Sequence, residues 1–294
     1  MPQVCLIGFG EVGQVLAADL AAAGVTSLTA WDLLFTDPDS GPSRAAGAVR
    51  RGSDAADALA GAELVISAVT AAECLAAAQT AAAALPPGAL YLDLNSVAPA
   101  TRRAAAAVVE AAGGRYIEAA VMSPILPRRS TAPMLLGGPH ALPFLSLAQV
   151  LGFTGMQAYA ATVGPASAAK MCRSVMIKGM EALLTESLLA ARGYGVEEAV
   201  LDSLNDLFPG HDWQRLAQYM ITRSLQHGRR RAEEMREVAQ TVTGAGLKPW
   251  MSAACAVRQD WAGQRAALAD IPDLTTLLDE LLATQAAASG DGAC

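Results

Sequence analysis

Several residue types are scarce in this chain of 294 residues, and each scarcity excludes a class of protein. The five cysteines are an odd number without a C-x-x-C pair, which argues against a disulfide framework and against a cysteine metal site. The three histidines show no metal-ligand spacing, so we expect no bound metal. Charged residues make up only 17 % and hydrophobic residues 53 %, which indicates a globular chain rather than a disordered one.

Positive charge is also in short supply. The net charge is −7 and no basic face is evident, so nucleic acid is not an expected partner. No apolar stretch is long and uninterrupted enough to span a membrane. Unpaired cysteines and the absence of a charged leader at the N-terminus lead us to expect a cytoplasmic location.

The strongest pattern that is present lies at the N-terminus. An apolar run at residues 4–7 is followed by Gly8, Gly10 and Gly13 in G-x-G-x-x-G spacing, and then by an apolar, Ala-rich stretch. This order predicts a strand, a tight turn and a helix N-terminus that binds a pyrophosphate. A glycine-rich turn can also be purely structural. The predicted contacts of the dinucleotide are Gly8, Phe9, Gly10, Glu11, Val12 and Gly13.

An acidic residue follows the second predicted strand. Asp32 directly follows residues 27–31, where a carboxylate accepts hydrogen bonds from the adenosine ribose. Its charge would repel a 2′-phosphate, which favours NAD over NADP as the cofactor. Arg44, Arg50 and Arg51, predicted within a short helical stretch, could instead attract that phosphate. The alternative for Asp32 is a solvated turn residue.

Strands and helices continue to alternate through the first half of the chain. Strands are predicted at residues 64–69, 89–94 and 116–121, with helices at 71–84 and 99–112 between them. This alternation predicts a Rossmann domain with a doubly wound, mostly parallel sheet. Ligands bind beyond the carboxyl ends of such strands, where Val69, Thr70, Asn95 and Ser96 lie. The pattern ends near Tyr159, so we expect domains at 1–162 and 163–294.

The sequence of the second half predicts an all-α domain. A long interdomain helix over residues 166–192 joins it to the Rossmann domain. Further helices are predicted at 196–207, 212–227, 230–243, 250–269 and 274–288. An apolar face of the long helix carries Ile177, Met180, Leu184, Leu188 and Ala191, and a polar stripe carries Lys170, Arg173, Ser174, Lys178, Glu181 and Thr185. The stripe either faces a cleft or is a solvated ion-pair ladder of Lys178 with Glu181.

Four segments, taken in order, resemble the β-hydroxyacid dehydrogenase family, the relatives of 6-phosphogluconate dehydrogenase and 3-hydroxyisobutyrate dehydrogenase. Residues 8–13 match the cofactor loop, and residues 93–99 resemble a D-x-S-T-x-x-P motif. Residues 118–123 resemble D-A-P-V-S-G-G, and residues 164–170 match G-x-G-x-x-x-K. The chain departs from the pattern where Pro124 and Ile125 replace a glycine pair, and where Arg173 and Ser174 replace an asparagine pair.

The resemblance implies an enzyme that transfers hydride between NAD or NADP and a secondary alcohol or carbonyl of a small, hydroxyacid-like metabolite. Lys170 would be the general acid/base, and Ser123 and Ser174 would orient the reacting oxygen. Asn95 and Ser96 would lie near the nicotinamide ribose. Two alternatives stay open: an imine reductase-like oxidoreductase, and a dinucleotide-binding protein without turnover.

The resemblance also implies a homodimer or higher homo-oligomer that assembles through the C-terminal helices. Trp213, Trp250 and Trp261 are candidate core or interface residues there. His227 and Arg230, at the predicted junction of two of these helices, could reach the substrate cleft, but each is more often a structural or solvated residue.

Overall fold

The apolar runs of the first half become one eight-stranded sheet with the order β3-β2-β1-β4-β5-β6-β7-β8. The computed structural model describes residues 1–45, 47 and 49–290. Only β6 and β7 pair antiparallel; the other neighbours are parallel, as predicted. The strands are β1 (Val4–Ile7), β2 (Leu28–Trp31), β3 (Arg50–Arg51), β4 (Leu64–Ser67), β5 (Leu90–Asp93), β6 (Arg115–Val121), β7 (Met134–Gly137) and β8 (Met156–Ala160).

Helices cover both faces of this sheet. They are α1 (Glu11–Ala22), α2 (Gly41–Ala45), α3 (Ala55–Leu59), α4 (Cys74–Ala82), α5 (Pro99–Ala111), α6 (Ile125–Arg128) and α7 (Ala141–Val150). Alternate residues of β1 enter different cores: Leu6 packs in the core that includes α1 and α7, whereas Ile7 packs in the core that includes α3, α4 and α5. A sheet buried on both faces is the doubly wound arrangement that the sequence predicts.

Two parts of this domain differ from the sequence predictions. Arg50 and Arg51 form β3, which pairs with Thr29 and Ala30, so the predicted helical stretch is wrong at these residues. The elements β7, α7 and β8 were not predicted from the sequence. The first of these strands has only four residues and the last is largely exposed, so neither gives the long apolar run of a buried strand.

A long helix continues the chain after the sheet. It is α8 (Pro165–Tyr194), and Gly195 follows it with a φ of +68°, which suits a helix C-terminus. The predicted helix over 166–192 is therefore confirmed. The described chain forms two compact units, residues 1–172 and 173–294, and they divide within α8. The sequence places the boundary near Thr162.

The second unit is built from α8 together with α9 (Glu197–Leu207), α10 (Trp213–Gly244), α11 (Trp250–Gly263) and α12 (Leu274–Gly290). Leu184 and Leu188 of α8 pack with Trp213 and Ile221 of α10 in its core. Trp250, by contrast, is 75 % exposed. Among the described residues, no helix is both long enough and apolar enough to cross a membrane.

The two helices predicted at 212–227 and 230–243 are one continuous helix, α10, and that prediction is wrong. Gly228 lies between the two predicted ranges and serves helix packing: an added Cβ would lie 2.4 Å from the carbonyl oxygen of Gln259 and 2.4 Å from the nitrogen of Gly263. Glycine here lets α11 approach closely. Gly263 ends α11, and a separate 3₁₀ turn, Ala266–Leu268, occupies the rest of the predicted helix.

The cysteines described by the structure are free thiols. Cys5, Cys74 and Cys255 are buried and Cys172 is exposed, whereas Cys294 lies outside the described residues. Burial raises the pKa of Cys5 and of Cys255 to about 11. Burial, with the nearby charge of Asp93, also raises the pKa of Cys74.

Candidate active site

The glycine turn between β1 and α1 uses its three glycines in two ways. At Gly8 (φ +89°) an added Cβ would lie 2.4 Å from the carbonyl oxygen of Ala68, and at Gly13 it would lie 2.2 Å from that of Gly8. Close backbone packing therefore requires both. At Gly10, the N-cap of α1, the same atom would meet nothing within 4 Å. The open face of the turn lies at a helix N-terminus, which favours an anion.

The other residues of the turn take different positions. The ring of Phe9 is buried and packs against Phe35 with centroids 5.8 Å apart, so the backbone of Phe9 is the part that belongs to the turn surface. Glu11 is exposed in the first turn of α1, and Val12 is half-buried against the core. Contact with a dinucleotide at these residues stays a prediction.

Asp32 ties the glycine turn to the end of β2. Its Oδ2 accepts a 2.6 Å hydrogen bond from the backbone N–H of Phe9, and its Oδ1 accepts one of 2.8 Å from Leu34. Asp32 is thus more than a solvated turn residue. An ionised carboxylate has about four lone-pair sites, so two remain for ribose hydroxyls.

Two arginines near β2 are already engaged. Both carboxylate oxygens of Asp57 accept 3.0 Å hydrogen bonds from Arg50, whose other terminal nitrogen donates to the Asp57 carbonyl at 2.7 Å. The guanidinium of Arg51 lies 5.7 Å from the centroid of the Phe35 ring. The ion pair with Asp57 offsets the charge of Arg50, whereas the contact with Phe35 leaves the charge of Arg51 in place.

The loops after β4 and β5 are joined by Asn95. Its Oδ1 accepts a 2.7 Å hydrogen bond from the N–H of Val69, and its Nδ2 donates to Ser67 Oγ at 3.0 Å. Asn95 is only 2 % exposed, so its first role is to hold the two strand ends together. Thr70 and Ser96 are more accessible. Because both loops follow parallel neighbours, all four predicted residues lie at one edge of the sheet.

Behind Asn95 lies a buried set of side chains, the Asp93 cluster: Asp93, Arg102, Tyr116 and Cys74. Asp93 Oδ1 lies 2.5 Å from Arg102 and accepts from the N–H of Asn95 at 2.9 Å. Its Oδ2 accepts from the Tyr116 hydroxyl at 2.6 Å and from Cys74 Sγ at 3.5 Å. Burial alone would lower the pKa of Arg102, but the charge of Asp93 raises it. Arg102 therefore stays charged beside Asp93.

Sequence reasoning missed Arg102. It shares a face of α5 with Ala105, Ala106 and Val109, all of them buried. A cation at helical spacing within an apolar stripe is the signal that could have found it, since a buried charge needs a partner. Its partner, Asp93, entered the sequence analysis only as the first residue of a motif.

Lys170 and Ser96 are brought together. The Nζ of Lys170 donates a 2.5 Å hydrogen bond to Ser96 Oγ. The start of α8 is held by the buried carboxylate of Glu118, which accepts from the N–H of Gly164 at 2.7 Å and of Ser167 at 2.6 Å. A carboxylate at a helix N-terminus offsets its partial positive charge and satisfies its amides. Glu118 thereby fixes the turn of α8 that carries Lys170.

Two family models match the chain. Residues 3–164 match the NAD binding domain of 6-phosphogluconate dehydrogenase, and residues 191–262 match a domain of unknown function, DUF1932. The first match covers more than half of the chain. The chain belongs to the 6-phosphogluconate dehydrogenase NAD-binding family. The glycine turn described above is thus part of an NAD-binding domain, and the predicted family is confirmed.

Solved structures and a curated protein resemble this family member along much of its length. A conserved hypothetical protein from Sinorhizobium meliloti 1021 is 37 % identical, with a TM-score of 0.72 and 96 % of each chain covered. MTH1747, a conserved protein of unknown function with structural similarity to 3-hydroxyacid dehydrogenases, is 32 % identical, with a TM-score of 0.66 and coverage of 90 % of this chain and 98 % of that one.

More distant relatives extend the same comparison. The 3-hydroxyisobutyrate dehydrogenase of Mycobacterium tuberculosis shares the fold at 18 % identity, with a TM-score of 0.69 over 96 % of this chain and 99 % of that one. An uncharacterized 28.5 kDa protein in the 7S RNA 5′ region of Methanothermus fervidus is 27 % identical over 162 residues. That match spans 55 % of this chain and 61 % of that protein, less than two thirds of its length.

The remaining predicted residues of this family member have local partners. Ser123 Oγ donates to the carbonyl oxygen of Pro124 at 3.1 Å. In the second unit, Ser174 is buried and its Oγ accepts a 3.3 Å hydrogen bond from Lys178 Nζ. The roles predicted for Ser123 and Ser174 with a substrate stay predictions.

The polar stripe of α8 within the second unit meets α10. Lys178 pairs with Glu234 at 2.7 Å, and the buried Glu181 pairs with Arg231 and accepts from Gln259 at 3.2 Å. The predicted Lys178–Glu181 ladder on a solvated face is therefore wrong. Unpaired charge on a buried helix face is costly, and α10 supplies the partners.

His227 lies inside α10, not at a junction of two helices. Burial lowers its pKa to about 4, with contributions from the charges of Arg223, Arg230 and Arg231. Within the described residues its Nε2 has no hydrogen-bond partner, and no group of three or more His, Cys, Asp and Glu could hold a metal ion. The ring is neutral at neutral pH.

Proposed function

We propose that this chain is an NAD(P)-dependent oxidoreductase that transfers hydride between a nicotinamide cofactor and the CH–OH carbon, or carbonyl, of a small hydroxyacid-like metabolite. The observation that carries the proposal is the 2.5 Å hydrogen bond from Lys170 Nζ to Ser96 Oγ, just beyond β5. A side chain that can carry a proton is thus held at the carboxyl ends of the parallel strands, where the glycine turn also lies. A binding protein without turnover needs no such group.

The residues at this edge fit a dinucleotide. Gly10 leaves open space before the N-terminus of α1, which suits a pyrophosphate. β2 lies on one side of β1, while β4 and β5 lie on the other. A ligand that crosses this switch point would extend its adenosine toward Asp32 and its nicotinamide toward Asn95 and Ser96.

The proposed mechanism divides the chemistry between cofactor and protein. The nicotinamide, when bound, supplies the hydride chemistry. Lys170 accepts the hydroxyl proton of the alcohol on oxidation and returns it to the oxygen on reduction. Ser96 accepts a hydrogen bond from the amine and so fixes its direction. Ser123 would hydrogen-bond the reacting oxygen.

We further propose a preference for NAD over NADP. The carboxylate of Asp32 would repel a 2′-phosphate, and Arg50, one of the three arginines that could attract it, is paired with Asp57. Dissociation constants for NAD⁺ and NADP⁺, measured by calorimetry on the same preparation, decide the matter. Tighter binding of NADP⁺ would reverse the assignment.

The function is tested by following the absorbance of reduced nicotinamide over a panel of hydroxyacids, simple alcohols and cyclic imines. On a confirmed substrate, Lys170→Ala should lower kcat by about 10²–10⁴, the usual contribution of a general acid/base, with cofactor affinity nearly unchanged. Lys170→Arg should not restore activity, because a guanidinium stays protonated. Turnover of imines alone would favour the imine reductase alternative.

The chain offers matched controls. Lys248, 6.0 Å from the centroid of the Trp250 ring, is a lysine of the second unit, and Lys248→Ala should keep wild-type activity. Because the pKa of His227 is about 4, its ring does not change charge near neutral pH, so the pH profile of kcat/KM in this range should have the same shape in His227→Gln as in the wild type. Near-wild-type turnover by Lys170→Ala would remove Lys170 from the mechanism.

A further inference from the structure

We propose that the Asp93 cluster is a positioning device that fixes Asn95 and Ser96 for the nicotinamide half of the dinucleotide. The inference rests on the proposed function and deepens it, because it assigns a role in cofactor binding to residues that touch neither cofactor nor substrate. Arg102 and Tyr116 are positioning residues in this sense.

The first step is the backbone of Asn95. Its N–H donates to Asp93 Oδ1 at 2.9 Å, and its carbonyl oxygen accepts a hydrogen bond from Arg102. Asn95 follows β5, where a residue ordinarily loses the fixed geometry of the sheet. Here side chains form hydrogen bonds with both the N–H and the carbonyl oxygen of Asn95. The position of the next residue, Ser96, is constrained as a result.

A second observation is how completely the carboxylate of Asp93 is hydrogen-bonded. The four hydrogen-bond donors around Asp93 use all of the lone-pair sites of a carboxylate. Arg102 also reaches the carbonyl oxygen of Asp93 at 2.7 Å and that of Ala119 at 3.2 Å, so it links the ends of β5 and β6. A carboxylate with every site filled has one low-energy position.

A third observation is the free-energy cost of burying the ion pair of Asp93 and Arg102. Asp93 and Arg102 are fully buried, and a buried ion pair is often no more stabilising than apolar residues of the same volume. Stability alone therefore does not account for the pair. Its geometry instead defines where the chain turns after β5, and this is the place from which Asn95 reaches Val69 and Ser96 reaches Lys170.

Two stacked tyrosines provide a matched test. The rings of Tyr91 and Tyr116 lie 5.9 Å apart at 14°, and both side chains are fully buried. The hydroxyl of Tyr116 donates to Asp93, whereas that of Tyr91 makes no hydrogen bond to Asp93 in the part of the chain that the structure describes. Phenylalanine at either position removes one oxygen at the same depth, but only Tyr116→Phe removes a bond of the cluster.

The experiment measures the affinities of the wild type, Tyr116→Phe and Tyr91→Phe for NAD⁺ and for ADP-ribose, which lacks the nicotinamide. Should the wild type prefer NADP⁺, the 2′-phosphorylated pair replaces them. We expect Tyr116→Phe to bind NAD⁺ about five- to tenfold more weakly than Tyr91→Phe, the equivalent of one hydrogen bond. Both variants should bind ADP-ribose equally.

Each result is decisive. Equal NAD⁺ affinity of the two variants overturns the inference, and so does a parallel loss of NAD⁺ and ADP-ribose, which a general structural role would cause. A wild type that binds neither NAD⁺ nor NADP⁺ overturns the proposed function as well. If Tyr116→Phe does not fold, Cys74→Ala removes the weaker donor to the same Asp93 oxygen, and a NAD⁺-specific loss of about twofold is then required.

Discussion

Gly10 differs from the other glycines of its turn in having open space where a side chain would be. An alanine there meets no protein atom and needs no positive φ, so Gly10→Ala should fold with an unchanged Tm. Its methyl group would nevertheless occupy the space that a pyrophosphate needs. We expect the affinity for NAD⁺ to fall at least about tenfold, a loss of about 1.4 kcal/mol, by calorimetry.

Gly193→Ala is the matched control, because Gly193 also has open space around the added Cβ but lies in the second unit. It should keep the wild-type affinity. Gly8→Ala and Gly13→Ala should instead lower the Tm, since the added atom would lie within 2.5 Å of a backbone oxygen. Equal NAD⁺ affinity of Gly10→Ala and the wild type would show that the pyrophosphate does not approach this glycine.

The candidate site could be predicted where the signal is local. The glycine spacing, Asp32 after a strand and Lys170 near the start of a helix are read from adjacent residues. The Asp93 cluster could not be found in this way, since its members come from α4, β5, α5 and β6. The ion-pair partner predicted for Lys178 was wrong for the same reason. Glu181 is closer in sequence, but Lys178 pairs with Glu234, which comes from another helix.

At the scale of the element, the start of α8 depends on Glu118. Its carboxylate accepts from two amides, and an amide side chain has only one oxygen to offer. Glu118→Gln should therefore leave one buried N–H facing an NH₂ group. We expect the free energy of unfolding to fall by about 1–3 kcal/mol in urea titrations, and kcat to fall because Lys170 shifts with its helix.

Glu110→Gln, an exposed change on α5, is the control and should leave both quantities as in the wild type. If Glu118→Gln loses stability but keeps kcat, Glu118 supports the fold without orienting Lys170. Unchanged stability would mean that the two amides find other acceptors.

Elements with long, regular patterns were predicted well, and α8 is the clearest example. Elements whose structure depends on contacts with a neighbouring element were not predicted well. Gly228 reads as a helix breaker in sequence, yet α11 packs against it. β3 has two residues and is exposed at the sheet edge, so it becomes a strand only because β2 lies beside it.

The whole molecule carries exposed apolar side chains on its second unit, including Val257 at 70 % exposure and Trp250 at 75 %. Trp250, Ala253, Ala254 and Val257 are all exposed and lie at helical spacing on α11, and a continuous apolar face of this kind is typical of interfaces. We expect a homodimer or larger assembly by light scattering at micromolar concentration, and Val257→Asp should shift it toward monomer.

Leu142 provides the control on the first unit, because it is also 70 % exposed. Leu142→Asp should leave the measured mass unchanged. A wild-type monomer at micromolar concentration would contradict the expected assembly, and an unchanged mass of Val257→Asp would place the interface elsewhere.

The distribution of buried thiols has a practical consequence for experiments. Cys5 and Cys74 lie in the first unit and Cys255 in the second, and burial holds all three in the unreactive thiol form. In a Cys294→Ser background, an alkylating reagent would modify the exposed Cys172 at once. Later mass increments, assigned by peptide mapping, would time the opening of each unit separately. The native cysteines thus report the rate of local unfolding in each unit without any introduced label.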